Sequence, residues 1–193
     1  MSNPLNALLE KKGVLLADGA TGTNLFAMGL ASGEAPELWN EIAPEKVVAL
    51  HKGFVEAGSD IIGTNTFNCQ VISMADYHME SLSYEMNVAA ARLAREAADS
   101  VATPERPRFV VGSIGPTNRT ASISPDVNDP GKRNVTFQQL VDAYLEQARA
   151  LAEGGVDLLM IETIFDTLNA KAAIFACENF FEECGVRYPV IIS

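Results

Sequence analysis

Short apolar runs recur along this chain at a nearly constant interval, with helix-forming sequence between them. That alternation restricts the fold more than any other feature. Val14–Ala17, Asp60–Gly63, Phe109–Ile114, Asp157–Ile161 and Val190–Ile192 are short, largely apolar and bounded by turn or polar residues. Such runs fit parallel strands covered on both faces. The first four begin 46, 49 and 48 residues apart. Helices fill the gaps. Pro44 to Ala57 has Pro in its first turn and Gly58 as its stop. Ser81 to Val101 is rich in Ala, Leu, Met, Glu and Arg. Thr136 and Gln139 form a capping-box pattern ahead of a helix that runs to Gly154 and Gly155. Asp166 or Thr167 can cap a last helix reaching about Glu183. The order predicts an α/β protein with a parallel sheet and right-handed crossovers. It leaves two architectures open: a five-stranded doubly wound sheet, or part of a (β/α)8 barrel. At this spacing a whole barrel would far exceed 193 residues, since about 250 is typical at tighter spacing.

An internal echo supports the repeating unit. Glu56-Ala57-Gly58-Ser59-Asp60 is matched 97 residues later by Glu153-Gly154-Gly155-Val156-Asp157. In both, a helix ends at Gly and a strand begins at Asp. Five residues past each Asp stand Asn65 and Glu162, each followed by Thr, at equivalent strand ends.

Length favours one domain over residues 1–193 with no internal boundary. The net charge of −11 argues against a nucleic-acid binder and against a polybasic membrane-surface module. No apolar run approaches the ~18 residues of a membrane helix. Met1 to Leu5 shows no basic segment leading into an apolar one, so no secretory signal is read there. The three cysteines, Cys69, Cys177 and Cys184, form no CxxC pair. They read as reduced thiols of a cytoplasmic protein rather than a disulfide framework or a zinc site.

In parallel α/β folds functional groups gather at the carboxyl ends of strands. Here those ends read Asp18 to Thr23, Thr64-Asn65-Thr66, Gly115 to Arg119 and Glu162-Thr163, all polar or Gly-rich. A carboxylate directly after Leu158–Ile161 sits at the mouth of the sheet, where Glu162 suits a substrate ammonium. Gly19 and Gly22 allow close backbone approach, and free N–H groups there suit an anion. The absence of GK[ST] argues against a nucleotide phosphate. Pro116 to Val135, with three prolines, reads as a lid or binding loop. His51 and His78 read as packing or surface histidines, as do Met74, Met79, Phe180 and Phe181 as helix-face packing. Glu178, Glu182 and Glu183 read as a solvated face.

The runs Leu16–Thr23, Thr64–Phe67, Gly115–Pro130 and Ile161–Lys171 resemble homocysteine S-methyltransferase domains. The likeness is strongest to the N-terminal homocysteine-binding domain of cobalamin-dependent methionine synthase. Asp18 to Trp39 looks more like the short stand-alone enzymes of betaine type. The resemblance implies a (β/α)8 TIM-type barrel of which this chain supplies about the first five strands. It implies methyl transfer to the homocysteine thiolate, giving methionine. Zinc would activate the thiol, held by cysteines of later strands that lie beyond Ser193, including a Gly-Gly-Cys-Cys run this sequence lacks. No metal ligand and no catalytic residue is therefore assigned within it. The donor would be methylcobalamin on another module, or betaine or S-methylmethionine in the short enzymes. Glu162 would bind the amino group, the backbone at Asp18 and Gly19 the carboxylate, and Asn65 and Asn118 would line the rim. The implied partners are homocysteine and the remaining half of the barrel or further methionine synthase modules. A non-catalytic half-barrel that serves assembly is the alternative from another class.

Overall fold

A computed structural model describes residues 4–193; the expectation of no secretory signal at Met1 to Leu5 falls mostly outside them. Four parallel strands form one sheet in sequence order: β1 (Ile61–Gly63), β2 (Phe109–Ile114), β3 (Leu158–Ile161) and β4 (Val190–Ile192). Among the described residues no strand sits out of sequence, which rejects the doubly wound alternative and leaves a partial barrel.

The helices expected from sequence are present. They are α4 (Pro44–Ala57), α6 (Ser83–Asp99), α7 (Phe137–Gly154) and α8 (Thr167–Cys184). Gly58 (φ 118°) and Gly155 (φ 97°) end α4 and α7 in the left-handed region that glycine alone enters cheaply. Thr136 and Gln139 close the capping box, and the Asp166 carboxylate accepts from the Leu168 and Asn169 amides at the start of α8. Consecutive helices pack on each other, α4 on α6, α6 on α7 and α7 on α8.

Strand alternation divides the core. Ile62, Val110, Ile114, Leu159 and Ile161 point outward and join the main core beneath the helices. Ile61, Phe109, Val111 and Leu158 point inward. Their inner face is covered at its amino-terminal end by α1 (Pro4–Lys12), through Leu5 and Leu8. Sequence reading did not find α1: it has nine residues and only two buried apolar positions. Two further short helices, α2 (Thr21–Ala27) and α3 (Trp39–Ile42), follow the first strand-like segment, and α5 (Val71–Met74) follows β1.

One expected strand needs correction. Val14–Ala17 makes a single parallel bridge, Ala17 to Ile61, and is no strand; the described residues hold four strands instead of five. Val14 (72% exposed) and Leu16 (58%) have no layer over them. Carboxylates also replace the main chain on both sides of the bridge. The Leu16 amide donates to Asp60 Oδ2 (3.0 Å) and the Gly63 amide to Asp18 Oδ2 (2.8 Å).

The echo at Asp60 and Asp157 has the same basis. Asp157 Oδ2 accepts the Val110 amide (2.7 Å) as Asp60 Oδ2 accepts that of Leu16. Each carboxylate satisfies an amide of the segment before it, Leu16 for Asp60 and Val110 for Asp157, and pairs with a cation, Lys12 for Asp60 and Arg95 for Asp157. No helix among the described residues is long and apolar enough to cross a membrane.

Candidate functional site

A cavity of about 530 Å³ opens at the carboxyl ends of the strands. Three segments wall it: Ala17 to Gly22 leading into α2, Pro36–Glu37, and Gly63 to Asn68 after β1. Met160 and Ser113 reach it from β3 and β2. Glu162 continues the alternation of β3: Leu158, Met160 and then Glu162 point inward. Its Oε1 accepts a 2.5 Å hydrogen bond from Ser113 Oγ. The next residue, Thr163, has φ 59°. A β-branched residue there is a genuine outlier, and such strain, typically about 1–3 kcal/mol, clusters at functional sites.

The cavity wall carries three carboxyl groups, Asp18, Glu37 and Glu162, and no Lys, Arg or His. Burial raises the Asp18 carboxyl from 3.8 to about 6, against the Gly63 hydrogen bond that lowers it; the nearby charge of Glu162 adds to the rise. Glu37 is 2% exposed, and burial raises it too. Its Oε1 accepts from the Asn68 amide (2.9 Å), while its buried Oε2 has no hydrogen-bond partner among the described residues.

The Asp18 shift has a measurable consequence. Between its unfolded and folded values the native protein holds a proton that the unfolded chain has released. Stability therefore falls as pH rises through that window. Asp18→Asn keeps an oxygen for the Gly63 amide and removes the ionisation. Its stability relative to the parent is expected to rise between about pH 4 and about pH 7. Urea unfolding at both pH values measures this, and a constant difference would contradict the buried, proton-holding Asp18.

Of the residues expected from sequence, Asp18, Gly19, Asn65 and Glu162 meet on this cavity. The Asn65 amide is already engaged, donating to Pro36 O (2.8 Å) and Asn40 Oδ1 (3.2 Å), so it fixes the wall segment. Asn118 is not on the wall; its amide donates to the Asp76 carboxylate. Glu37 and Ser113 were not foreseen. Ser113 carried a readable signal, a lone hydroxyl two residues after Val111 on the inward face of β2. Glu37 carried none, because nothing in sequence brings Pro36–Glu37 against Asn68.

The 116–135 loop does not line the cavity either. It is tethered to the start of α8. Asn169 accepts from the Ala121 amide (3.0 Å) and donates to Thr117 Oγ1 (3.0 Å) and Arg119 O (2.8 Å), and Asp166 accepts from the Ser122 amide (3.0 Å). Asn169→Ala leaves the buried Ala121 amide unpaired. We expect a loss of about 1–2 kcal/mol in urea unfolding and faster proteolysis within this loop. Unchanged cleavage there would show that other contacts hold it.

Residues 15–193 match the family model described as homocysteine S-methyltransferase. The chain belongs to that family. Its fold is similar to three structures of the homocysteine methyltransferase MmuM from Escherichia coli. The oxidized form matches with TM-score 0.76 at 23% identity, over 100% of this chain and 65% of that one. The metallated form gives 0.77 at 25%, over 99% and 66%. The apo form gives 0.72 at 24%, over 99% and 63%. The chain thus spans roughly two thirds of the length of these relatives.

The described residues do not fit a thiolate metal centre. No group of three His, Cys, Asp or Glu among them is placed to hold a metal ion. Cys69 and Cys177 are buried, and burial pushes both thiols up, Cys177 to about 12, which opposes the thiolate a metal needs. Cys184 is exposed at the end of α8.

Proposed function

We propose that this chain forms the amino-acid-binding part of a homocysteine S-methyltransferase. It holds homocysteine while the sulfur takes a methyl group and becomes the thioether of methionine. One observation carries the reading: a cavity at the strand carboxyl ends has Glu162 and Asp18 on its wall and no cationic side chain. An amino acid's ammonium finds a charge-assisted acceptor in Glu162. Its carboxylate requires N–H donors instead, and the Gly19–Gly22 backbone is the wall segment suited to supply them. In the transfer, a sulfur lone pair forms the new S–CH₃ bond as the donor's bond to that methyl breaks, and the bonding pair leaves with the donor. This chain's residues bind and orient.

Zinc, as the thiol activator, belongs to this proposal only through cysteines outside the described residues. The donor is methylcobalamin on another module in the leading reading, with betaine or S-methylmethionine as alternatives. Exposed Val14, Leu16 and Ile192 at the sheet edges suit the remaining staves of a closed barrel. A half-barrel serving assembly alone is the competing reading, and it makes no demand on the acidic cavity.

Calorimetric titration separates these. L-homocysteine and L-methionine should bind, whereas 4-mercaptobutyrate, the same skeleton without the amino group, should bind at least tenfold more weakly. Equal binding of the amino-free compound, or no binding of either amino acid, would overturn the proposal.

A further inference from the structure

We infer that Ser113 is the positioning residue for Glu162, and that Thr64 and Thr66 hold Ser113 in strand geometry by standing in for a strand that has ended. This rests on the reading of Glu162 as the ammonium acceptor.

The last regular rung between β1 and β2 is the Thr64 amide donating to Val111 O at 3.0 Å. One rung further, the Ser113 N–H and C=O face the same side, but β1 has stopped. The Thr66 amide turns back on Thr64 O (2.9 Å). Ser113 is 4% exposed, so both of its main-chain groups would be costly to leave unpaired. Two hydroxyl side chains fill the gap, and Gln147 Nε2 adds a longer bond to Ser113 O (3.4 Å). The Ser113 amide donates to Thr64 Oγ1 (3.0 Å), and Thr66 Oγ1 donates to Ser113 O (2.8 Å).

The two hydroxyls lie 2.6 Å apart. Because the Thr66 proton points at Ser113 O, the bond between them uses the Thr64 proton. The result is a closed ring running from the Ser113 amide through Thr64 and Thr66 to the Ser113 carbonyl, with each donor used once. Gln147 Nε2, reaching in from α7, adds a bond to Thr66 O (2.9 Å). Thr66 and Gln147 are fully buried and Thr64 is 4% exposed, so these bonds are largely shielded from water even at the cavity wall.

A Ser113 backbone clamped on both groups presents its hydroxyl inward, where it donates to Glu162 Oε1. One carboxylate oxygen is thereby fixed, and the other is left for a ligand N–H. A free Glu at a strand end would sample several rotamers, and ordering it on binding weakens affinity.

The test compares L-homocysteine with 4-mercaptobutyrate on the same protein. Ser113→Ala should raise the Kd for L-homocysteine about three- to tenfold, the weight of one ordinary hydrogen bond. It should leave the Kd for 4-mercaptobutyrate within about twofold. Thr64→Val should reproduce the selective loss, and Thr64→Ser, which restores the hydroxyl, should recover it. Equal weakening of both ligands would show a purely structural Ser113, and no weakening of either would show that Glu162 needs no positioning; each result overturns the inference. If the parent protein itself does not distinguish the two ligands, the reading of Glu162 fails instead.

Discussion

Glu162→Gln is expected to weaken L-homocysteine binding about three- to tenfold while leaving the fold intact. The substitution keeps size, the inward direction set by β3, and an oxygen for the Ser113 hydroxyl. It removes only the charge. A hydrogen bond to a charged group contributes roughly 1.5–3 kcal/mol, against about half that for a neutral pair. The loss should be confined to ligands with an amino group, so 4-mercaptobutyrate again serves as the control. Calorimetry on both variants measures it. Unchanged affinity would remove Glu162 from the site, and the acidic cavity would then need another explanation.

Gly115→Ala should be the most damaging small substitution in the chain's functional end. A Cβ there would lie 2.3 Å from Phe67 O and 2.9 Å from the Phe67 ring. The nearest atom is main chain, so no side-chain rotation relieves the clash. Phe67 O also accepts from the Gly115 amide (3.0 Å), and Phe67 and Asn68 belong to the cavity wall. The segment after β1 must therefore move away from β2. Overpacking of this kind costs about 3 kcal/mol, and here it also displaces the wall segment whose Asn68 amide holds Glu37. Both the urea midpoint and L-homocysteine affinity should fall. Gly53→Ala is the matched control: a Cβ there meets nothing within 4 Å, and Gly53 lies inside α4, off the cavity wall. It should be neutral or slightly stabilising. Equal behaviour of the two variants would disprove the close approach at Gly115.

What sequence could show divides along physical lines. Local signals survived well. Pro44, Gly58, Thr136 with Gln139 and Asp166 mark helix ends through bonds made within a few residues, so they read directly from the chain. The strands Phe109–Ile114 and Val190–Ile192 were recognised at their observed bounds. Val14–Ala17 was misread because its apolar composition matches a strand, while its pairing depends on a covering layer that composition does not reveal. The cavity followed the same rule. The place of Glu162 on its wall was legible because a residue directly after an apolar strand lies at that strand's carboxyl end. Glu37, and the clamp of Thr64 and Thr66 on Ser113, depend on segments brought together from 31 to 49 positions apart. No local pattern encodes them. Asn118 shows the converse: its motif pointed to the rim, yet Asp76 claims its amide.

The uneven placement of charge along the strand axis bears on how a ligand arrives. At the amino ends, Asp60 and Asp157 are each answered by a cation, whereas the carboxyl-end cavity holds three acids and none. The field at the mouth is therefore negative on a chain already at −11. Homocysteine with its thiol intact is a neutral zwitterion. Such a field turns it more than it pulls it, so the amino group leads and the encounter rate depends little on salt. The thiolate form carries a net negative charge and is turned away. If the proposed function holds, the ligand comes in with sulfur still protonated, and that proton departs only after the amino end has docked.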